Sequence, residues 1–199
     1  ILNSSREIEF DIIIMAIGVR PEITLAKNAG LETARGIIVN ENLQTSNPDI
    51  YAGGDGVEIK DFVTGENTLI PLAGPANRQG RIIADNICGI ESAYKNSQGT
   101  SVLKVFDLTA ASVGNNEKQL KSKNIPYWKT FVFSKDHAGY YPGAVEVLYK
   151  LLFSPDGKIL GAQGVGLDGV EKRIDVISSI MRNGGKIQEL LDSELCYAP

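Results

Sequence analysis

The residues best suited to chemistry form the segment TSNPDIYAGGD, residues 45–55. The sequence predicts a turn at 46–48 and a short apolar strand at 50–51, followed by two glycines that let a ligand approach the backbone closely. Asp55 would then lie at the carboxyl end of the strand, the edge of an open α/β sheet where ligands bind. Its carboxylate can accept hydrogen bonds from a sugar-like hydroxyl chain. A glycine-rich turn after an ordinary strand would give the same pattern.

Two flanking segments make this pattern more specific: AIGVRPE at residues 16–22 and IPLAGPANRQGR at residues 70–81. Pro75 suits the first turn of a helix that Gly89 would end. The amino terminus of this helix would offer unpaired backbone N–H groups to an electron-rich ring edge. Arg78 and Gln79 are predicted to be solvated first-turn residues. The predicted apolar face consists of Ala76, Gly80, Ile83, Ala84 and Ile87.

Together, the three segments resemble the flavin-dependent pyridine nucleotide-disulfide oxidoreductases, and among them the coenzyme A-disulfide reductase and NADH oxidase branch. The resemblance runs through essentially the whole chain but covers only part of such an enzyme. It implies that Asp55, preceded by Gly54, holds the ribityl and phosphate region of FAD. It also implies that Leu72 and Ala73 bring backbone against the isoalloxazine ring. Gly18 would mark the turn into the flavin domain, although a plain turn glycine remains the alternative.

The elements that position these residues can be predicted from apolar patterns. Residues 9–17, EFDIIIMAI, read as a buried parallel strand, and residues 22–29 as a short helix stopped by Gly30. A short strand and hairpin follow from residue 36, and residues 56–69 read as a loop with a small hairpin at 64–65. The composition becomes small and polar at 91–100. We therefore divide the chain into residues 1–99, the end of an NAD-binding domain and the carboxyl-terminal part of an FAD-binding domain, and residues 100–199.

Residues 100–199 predict an antiparallel sheet with helices. Strands are expected at 100–108, 127–134, 145–153 and 159–165, and a helix at 110–121 with Gly114 as a close-packing site. Val170, Ile174, Ile177 and Met181 recur at helical spacing. This pattern resembles the dimerisation domain of the family, which implies a homodimer. The predicted fold class is α/β and α+β: the second part of an FAD-binding Rossmann-like domain, followed by an antiparallel-sheet dimerisation domain.

Tyrosines are the candidate catalytic residues. The loop KDHAGYYPGA contains the only histidine of the chain, His137, with Tyr140 and Tyr141. A histidine in such a loop can titrate near neutrality, and the alternative is a turn whose tyrosines pack on the sheet edge. The resemblance implies that one of these tyrosines and Tyr197 face the thiol site of the partner subunit. A phenol can donate a hydrogen bond to a thiolate or to a substrate sulfur.

Composition and charge exclude several other classes of protein. The net charge of −4 argues against a nucleic-acid partner, and no apolar run reaches membrane-spanning length. Cys88 and Cys196 form no CxxC motif, so no metal site is predicted. Two isolated cysteines fit a reducing cytoplasm, and Cys88 is predicted to be a buried structural thiol. The last residues, DSELCYAP, contain no histidine–glutamate pair of the kind that two-cysteine relatives carry near this terminus, which favours the single-cysteine branch.

Missing motifs limit what the chain can do alone. Residues 1–99 contain no GxGxxG fingerprint and no redox cysteine before the flavin helix, and the chain begins without Met in what reads as mid-strand. We interpret it as part of a longer flavoprotein that uses FAD and NAD(P)H to reduce a coenzyme A-type disulfide. An NADH oxidase is the close alternative. The chain alone is expected to be inactive and to retain no cofactor, behaving as a dimerisation and binding module.

Overall fold

The computed structural model describes residues 7–196. No helix in this range is both long enough and apolar enough to cross a bilayer. The elements in chain order are α1 (Thr24–Asn28), β1 (Ile37–Ile38), β2 (Val57–Lys60), β3 (Asn67–Thr68), α2 (Ala73–Ile87), β4 (Ser101–Val105), β5 (Leu108–Gly114), α3 (Glu117–Ser122), β6 (Trp128–Lys135), β7 (Glu146–Phe153), β8 (Ile159–Gly166), α4 (Val170–Arg182) and α5 (Ile187–Leu191).

The first part is a small mixed sheet covered by α2. Strand β1 runs parallel to β2, and β3 pairs antiparallel with β2, which confirms the hairpin predicted at 64–65. Glu58 is buried in this sheet, and its carboxylate accepts the backbone N–H groups of Arg35 at 2.6 Å and Gly36 at 3.0 Å. These bonds satisfy the buried charge and anchor the start of β1. The core consists of Leu43, Val57, Ile59, Ile82 and Tyr94.

Two strand predictions in the first part were wrong. Residues 9–17 form no strand, and Ile12 and Ile14 are 79% and 86% exposed. A buried parallel strand needs neighbours to take its N–H and C=O groups, and no described strand pairs with this run. The predicted strand at 50–51 is reduced to a single antiparallel bridge between Gln44 and Tyr51. The helix before Gly30 is confirmed as α1, and Gly30 adopts a left-handed conformation with φ 74°.

The second part is a five-stranded antiparallel sheet in the order β4-β5-β8-β7-β6. Helix α4 packs on one face of the sheet. Its four periodic residues are all buried, so the predicted stripe is confirmed as core. They pack against alternate residues of the central strands, as period-two burial requires. This core includes Ala111, Val113, Val147, Tyr149 and Ala162.

The predicted helix at 110–121 was wrong over its first half. Thr109, Ala111 and Val113 are buried at period two and belong to β5, which pairs with β8. Only α3 is helical, and it starts at a capping box in which Asn116 and Gln119 exchange hydrogen bonds of 3.0 and 2.8 Å. Alanine and serine occur in helices and strands alike, so the pairing of this segment with β8 decided that it forms a strand. Gly114 is a close-packing site, because a Cβ there would lie 2.4 Å from the Leu160 carbonyl oxygen.

The face opposite α4 is only partly covered. Helix α3 covers one end of it, where Leu120, Leu152 and Leu160 form a small core. Elsewhere an apolar row crosses all five strands, because each of its residues is the registered partner of the next. Its two ends are strongly exposed, at 57% and 81%. We call this the outer row; in strand order it consists of Leu103, Ala110, Val165, Leu148 and Phe133.

A charged cluster ties α3 to the outer face. The Glu117 carboxylate accepts hydrogen bonds from Lys150, from the Tyr127 hydroxyl at 2.7 Å and from Lys129 at 3.1 Å. The hydrogen bonds from Lys150, Tyr127 and Lys129 lower the pKa of Glu117 from 4.5 to about 2. The cluster therefore stabilises the packing of α3 only while Glu117 is ionised.

Candidate functional site

The turn before Asp55 is held against helix α2. A Cβ on Gly53 would lie 2.9 Å from Cδ1 of Ile83, so only glycine fits there without a shift. Gly54 has φ 84°, a left-handed conformation that favours glycine, and no heavy atom lies within 4 Å of the position a Cβ would take. The Gly54 N–H donates to Oε1 of Gln79 at 2.6 Å. One side of the turn therefore contacts the helix, and the other is open.

Gln79 is the main site residue that sequence reasoning missed. It was predicted to be solvated, but it is 1% exposed. The sequence does carry a signal for this burial. Gln79 lies three residues before Ile82 and four before Ile83, and residues at these spacings lie on the same face of a helix. The apolar face was correspondingly misplaced, since Ile87 is 66% exposed. The prediction of a buried Cys88 was also wrong, because this thiol is exposed at the end of α2.

Asp55 is exposed in a cleft of about 400 Å³ that brings the three sequence motifs together. The lining comes from the turn after Gly18, from the segment after Gly54 and from the residues that lead into α2. Gly18 has φ 84°, and a Cβ added to it would meet no heavy atom within 4 Å, so its turn is also open. The lining residues are Val19, Arg20, Pro21, Glu22, Asp55, Gly56, Leu69 and Pro71.

Leu72 and Ala73 lie at the amino terminus of α2. Leu72 is the extended N-cap residue, with φ −134°, and no side chain caps the first turn. The helix is fifteen residues long, so its first N–H groups carry the positive end of the helix dipole. Leu72 lines a second cleft of about 320 Å³, which shares Leu69 and Pro71 with the Asp55 cleft. The two clefts therefore adjoin at the chain that enters α2.

These residues fit part of a flavin dinucleotide. An exposed carboxylate can accept hydrogen bonds from a ribityl chain, open glycine turns allow backbone contact, and an uncapped helix terminus suits an electron-rich ring edge. Residues 1–99 have no glycine fingerprint for the pyrophosphate, and the GxGxxG string at residues 164–169 follows the antiparallel strand β8, not a parallel strand of a βαβ unit, so the residues around Asp55 and α2 account for one side of such a site only. No cluster of three or more His, Cys, Asp or Glu residues able to hold a metal ion occurs between residues 7 and 196.

The tyrosine loop is braced at its base and exposed at its tip. Asp136 accepts the Val145 N–H at 2.8 Å and contacts Nδ1 of His137 at 2.7 Å. Burial raises the pKa of Asp136, but the bonds from Val145 and His137 outweigh it, and the pKa lies below its ordinary value. Tyr140 and Tyr141 are 69% and 47% exposed, with ring centroids 5.6 Å apart.

The structure does not bring these tyrosines to the flavin-type clefts. Neither Tyr140 nor Tyr141 is among the residues that line the Asp55 cleft or the Leu72 cleft. Tyr197 lies outside the described residues. The role of these phenols at the thiol site of a partner subunit stays a prediction.

Fold and site together are those of an α/β part with a dinucleotide-type cleft, followed by an antiparallel sheet with one helix packed on its face. Family comparison agrees: residues 1–80 match the model for pyridine nucleotide-disulphide oxidoreductases, and residues 100–199 match the dimerisation domain of the same enzymes. The chain belongs to the pyridine nucleotide-disulphide oxidoreductase family. This confirms the resemblance and the fold class predicted from the sequence.

Individual relatives point to one branch of the family. The chain is 42% identical to an NADH oxidase of Methanocaldococcus jannaschii over 96% of its residues, and 36% identical to a coenzyme A disulfide reductase of Staphylococcus epidermidis over 99%. It spans only 43% and 45% of these two relatives. Among solved structures, reduced CoADR-RHD of Bacillus anthracis matches with 55% identity and a TM-score of 0.93, over 99% of this chain and 36% of that one.

Proposed function

We propose that this chain acts as the carboxyl-terminal part of an FAD-dependent NAD(P)H oxidoreductase that reduces a coenzyme A-type disulfide. The observation that carries the proposal is the convergence of three distant segments, at 19–22, 55–56 and 69–71, in one cleft beside the start of α2. The relatives named as coenzyme A disulfide reductases support the substrate class. Because the chain spans less than half of these relatives, the proposal concerns the full-length protein, by which we mean a protein of their length.

Each site residue has a distinct part in the proposal. Asp55 accepts hydrogen bonds from the ribityl hydroxyls, and Gly18 and Gly54 let backbone approach the cofactor. Leu72 and Ala73 direct backbone N–H groups of the α2 terminus at the ring edge. FAD, when bound, supplies the capacity to take hydride from NAD(P)H and to pass electrons to the acceptor. The residues of this chain bind and orient.

Sulfur chemistry is assigned to the phenols. We place Tyr197 and one of Tyr140 and Tyr141 at the thiol site of the partner subunit, where a phenol donates a hydrogen bond to a thiolate. The exposed position of the Tyr140–Tyr141 pair on a braced loop supports this role, because such side chains can reach another subunit. We further propose a cytoplasmic protein, since Cys88 and Cys196 are both free and exposed.

We propose a homodimer that forms through the outer row. The α4 stripe lies in the core, so the apolar surface available to a second copy is the sheet face that carries Phe133 and Val165. A groove of about 460 Å³ runs along this face beside Leu148 and Leu108. An apolar surface of this kind is typical of a subunit interface, and the match to a dimerisation domain supports a second copy as its occupant.

The second candidate function is an NADH oxidase in which oxygen is the acceptor. The relative of that name from M. jannaschii, at 42% identity, favours it. A third possibility concerns the 199 residues alone, whose flavin-type part, residues 1–99, lacks the pyrophosphate fingerprint; they would serve only for binding and dimerisation.

The test uses the full-length protein and its Asp55→Asn variant. We expect the wild type to purify with a visible flavin chromophore and to release thiol from coenzyme A disulfide as NAD(P)H is consumed. Asp55→Asn should lose FAD, whereas Asp49→Asn, an exposed change six residues earlier, should not. NAD(P)H oxidation that consumes oxygen and releases no thiol would instead establish the oxidase. A wild type without flavin would refute the proposal.

A further inference from the structure

Gln79 is the one polar side chain of α2 that is fully buried. It is 1% exposed and lies beside Ile82, the other buried residue of the helix. Burial of an amide costs free energy unless the amide is hydrogen-bonded, and a leucine of similar size would not incur that cost. The amide oxygen accepts the Gly54 N–H at 2.6 Å. Gln79 therefore satisfies a backbone donor of the turn that precedes Asp55.

The contact fixes the turn from the side opposite the cleft. Gly53 leaves no room for movement towards α2, because even a Cβ would lie 2.9 Å from Ile83. Gly54 adopts φ 84°, and the direction of its missing Cβ is open. A left-handed turn with two consecutive glycines is intrinsically mobile, since glycine loses the most conformational freedom on folding. The bond to Gln79 removes this freedom next to the carboxylate that lines the cleft.

We propose that Gln79 is a positioning residue for cofactor binding: by holding the Gly54 amide, it directs the Asp55 carboxylate into the cleft. The inference rests on the function proposed above. It does not make Gln79 a contact of the cofactor. It predicts that loss of the Oε1 acceptor weakens FAD binding through the turn, although the helix and the cleft remain.

The experiment compares two variants of the full-length protein. Gln79→Leu keeps the size and helix propensity of the side chain but removes the acceptor. Asn86→Leu is the matched control. Asn86 lies two turns later on α2 and ties other loops, with bonds from its amide to the Asn42 carbonyl at 3.1 Å and the Ser92 carbonyl at 2.8 Å. Both changes remove polar contacts of the same helix, but only Gln79→Leu removes a contact with the Gly53–Gly54 turn.

Two readouts separate positioning from general stability. FAD titration of the flavin-free proteins should give a Kd about tenfold higher for Gln79→Leu, the equivalent of one hydrogen bond, and within about twofold of wild type for Asn86→Leu. Amide exchange in the flavin-free protein should become faster at Gly54 in the first variant only. Thermal unfolding of both variants measures how much stability each has lost. The changes in Kd can then be compared with the destabilisation of each variant.

The outcomes are distinct. Equal rises in Kd for the two variants would overturn the proposal, as would an unchanged Kd and unchanged Gly54 exchange in Gln79→Leu. If Gln79→Leu does not fold, Gln79→Asn replaces it: this change keeps the amide but withdraws its oxygen by one methylene, and the same two readouts apply. A wild type that binds no FAD would refute the proposed function, and Gly54 exchange would still test whether Gln79 holds the turn.

Discussion

Replacement of Gly114 by alanine should destabilise the five-stranded sheet much more than the same replacement at Gly184. Both glycines are left-handed, with φ 69° and φ 75°. They differ in their surroundings. At Gly114 a Cβ would lie 2.4 Å from the Leu160 carbonyl oxygen and 3.0 Å from Cε of Met181, whereas at Gly184 no atom lies within 4 Å. Gly184 therefore controls for backbone conformation.

The magnitude follows from these distances. A left-handed conformation costs alanine about 1–2 kcal/mol, a term that both variants share. At Gly114 the added methyl also meets backbone, and overpacking typically costs about 1–3 kcal/mol more. The Leu160 oxygen cannot turn away freely, because it accepts the Asn115 N–H at 2.9 Å. Relief of the contact would require the β5–β8 pair to separate, so the upper part of that range is expected.

The assay is urea unfolding followed by the fluorescence of Trp128. This residue is the only tryptophan of the chain, and it lies on β6 of the same sheet. Linear extrapolation gives the free energy of unfolding for wild type and both variants. If the two alanine variants lose the same free energy within about 0.5 kcal/mol, the close approach of β5 and β8 is not a constraint, and the reasoning fails.

Three further predictions concern charge, assembly and chemistry. The pKa of Glu117 falls from 4.5 to about 2 on folding, so its contribution to stability is complete above pH 4.5 and is lost as the pH falls towards 2. Glu117→Gln should therefore flatten the decline of Tm between pH 4.5 and 2. An unchanged decline of Tm in this variant would contradict the prediction. Phe133→Asp should weaken a dimer in light scattering, while Leu25→Asp, also at a strongly exposed residue, should not; equal effects would exclude the outer row. In the full-length protein, Tyr197→Phe should slow disulfide turnover about tenfold without slowing anaerobic flavin reduction, and equal slowing of both half-reactions would show that this tyrosine only packs.

Periodicity predicted the elements in which burial follows a single face. The stripe of α4, which ends at Met181, and strand β7 were predicted because their residues recur or alternate with a constant period. Strand β6 was predicted from its aromatic and β-branched residues, and β8 from the turn at 155–157 that precedes it. The segment at 110–121 failed because small residues such as Ala111 carry little preference, so pairing with β8 decided its structure. The strand predicted at 9–17 was wrong although its residues strongly favour a strand, because an apolar run cannot form a sheet strand without neighbouring strands to pair with.

The sequence predicted the individual residues of the candidate site but not the contact between Gln79 and the turn before Asp55. Asp55 and the start of α2 were found from their residue types and from the resemblance to a family, and both lie at the expected turns. Gln79 could not be found in that way, because a polar residue in a first turn is usually solvated. Its burial depends on Gly53, whose missing Cβ lets α2 approach the turn, and on the Gly54 N–H that its amide oxygen accepts.

Strand β2 lies between the Asp55 cleft and one set of contacts with the second part of the chain, residues 100–196. Strand β2 starts two residues after Asp55 and ends one residue before Asp61, whose Oδ2 accepts Nδ2 of Asn115 at 2.9 Å. The next residue, Phe62, stacks under Arg182 of α4 at 5.2 Å, and Arg182 also donates to the Asn96 carbonyl at 3.1 Å.

These contacts restrict movement of the first part of the chain, residues 7–99, relative to the second part, residues 100–196. Val63 extends the connection, because it packs against both the α4 core and the small core under α3. If tyrosines of one subunit act at the thiol site of the other, their placement depends on the distance between the outer row and the Asp55 cleft. Strand β2 has only four residues, Asp61 after it is bonded to Asn115, and the turn before it is held by Gln79, so this segment restricts that distance more than a flexible linker would.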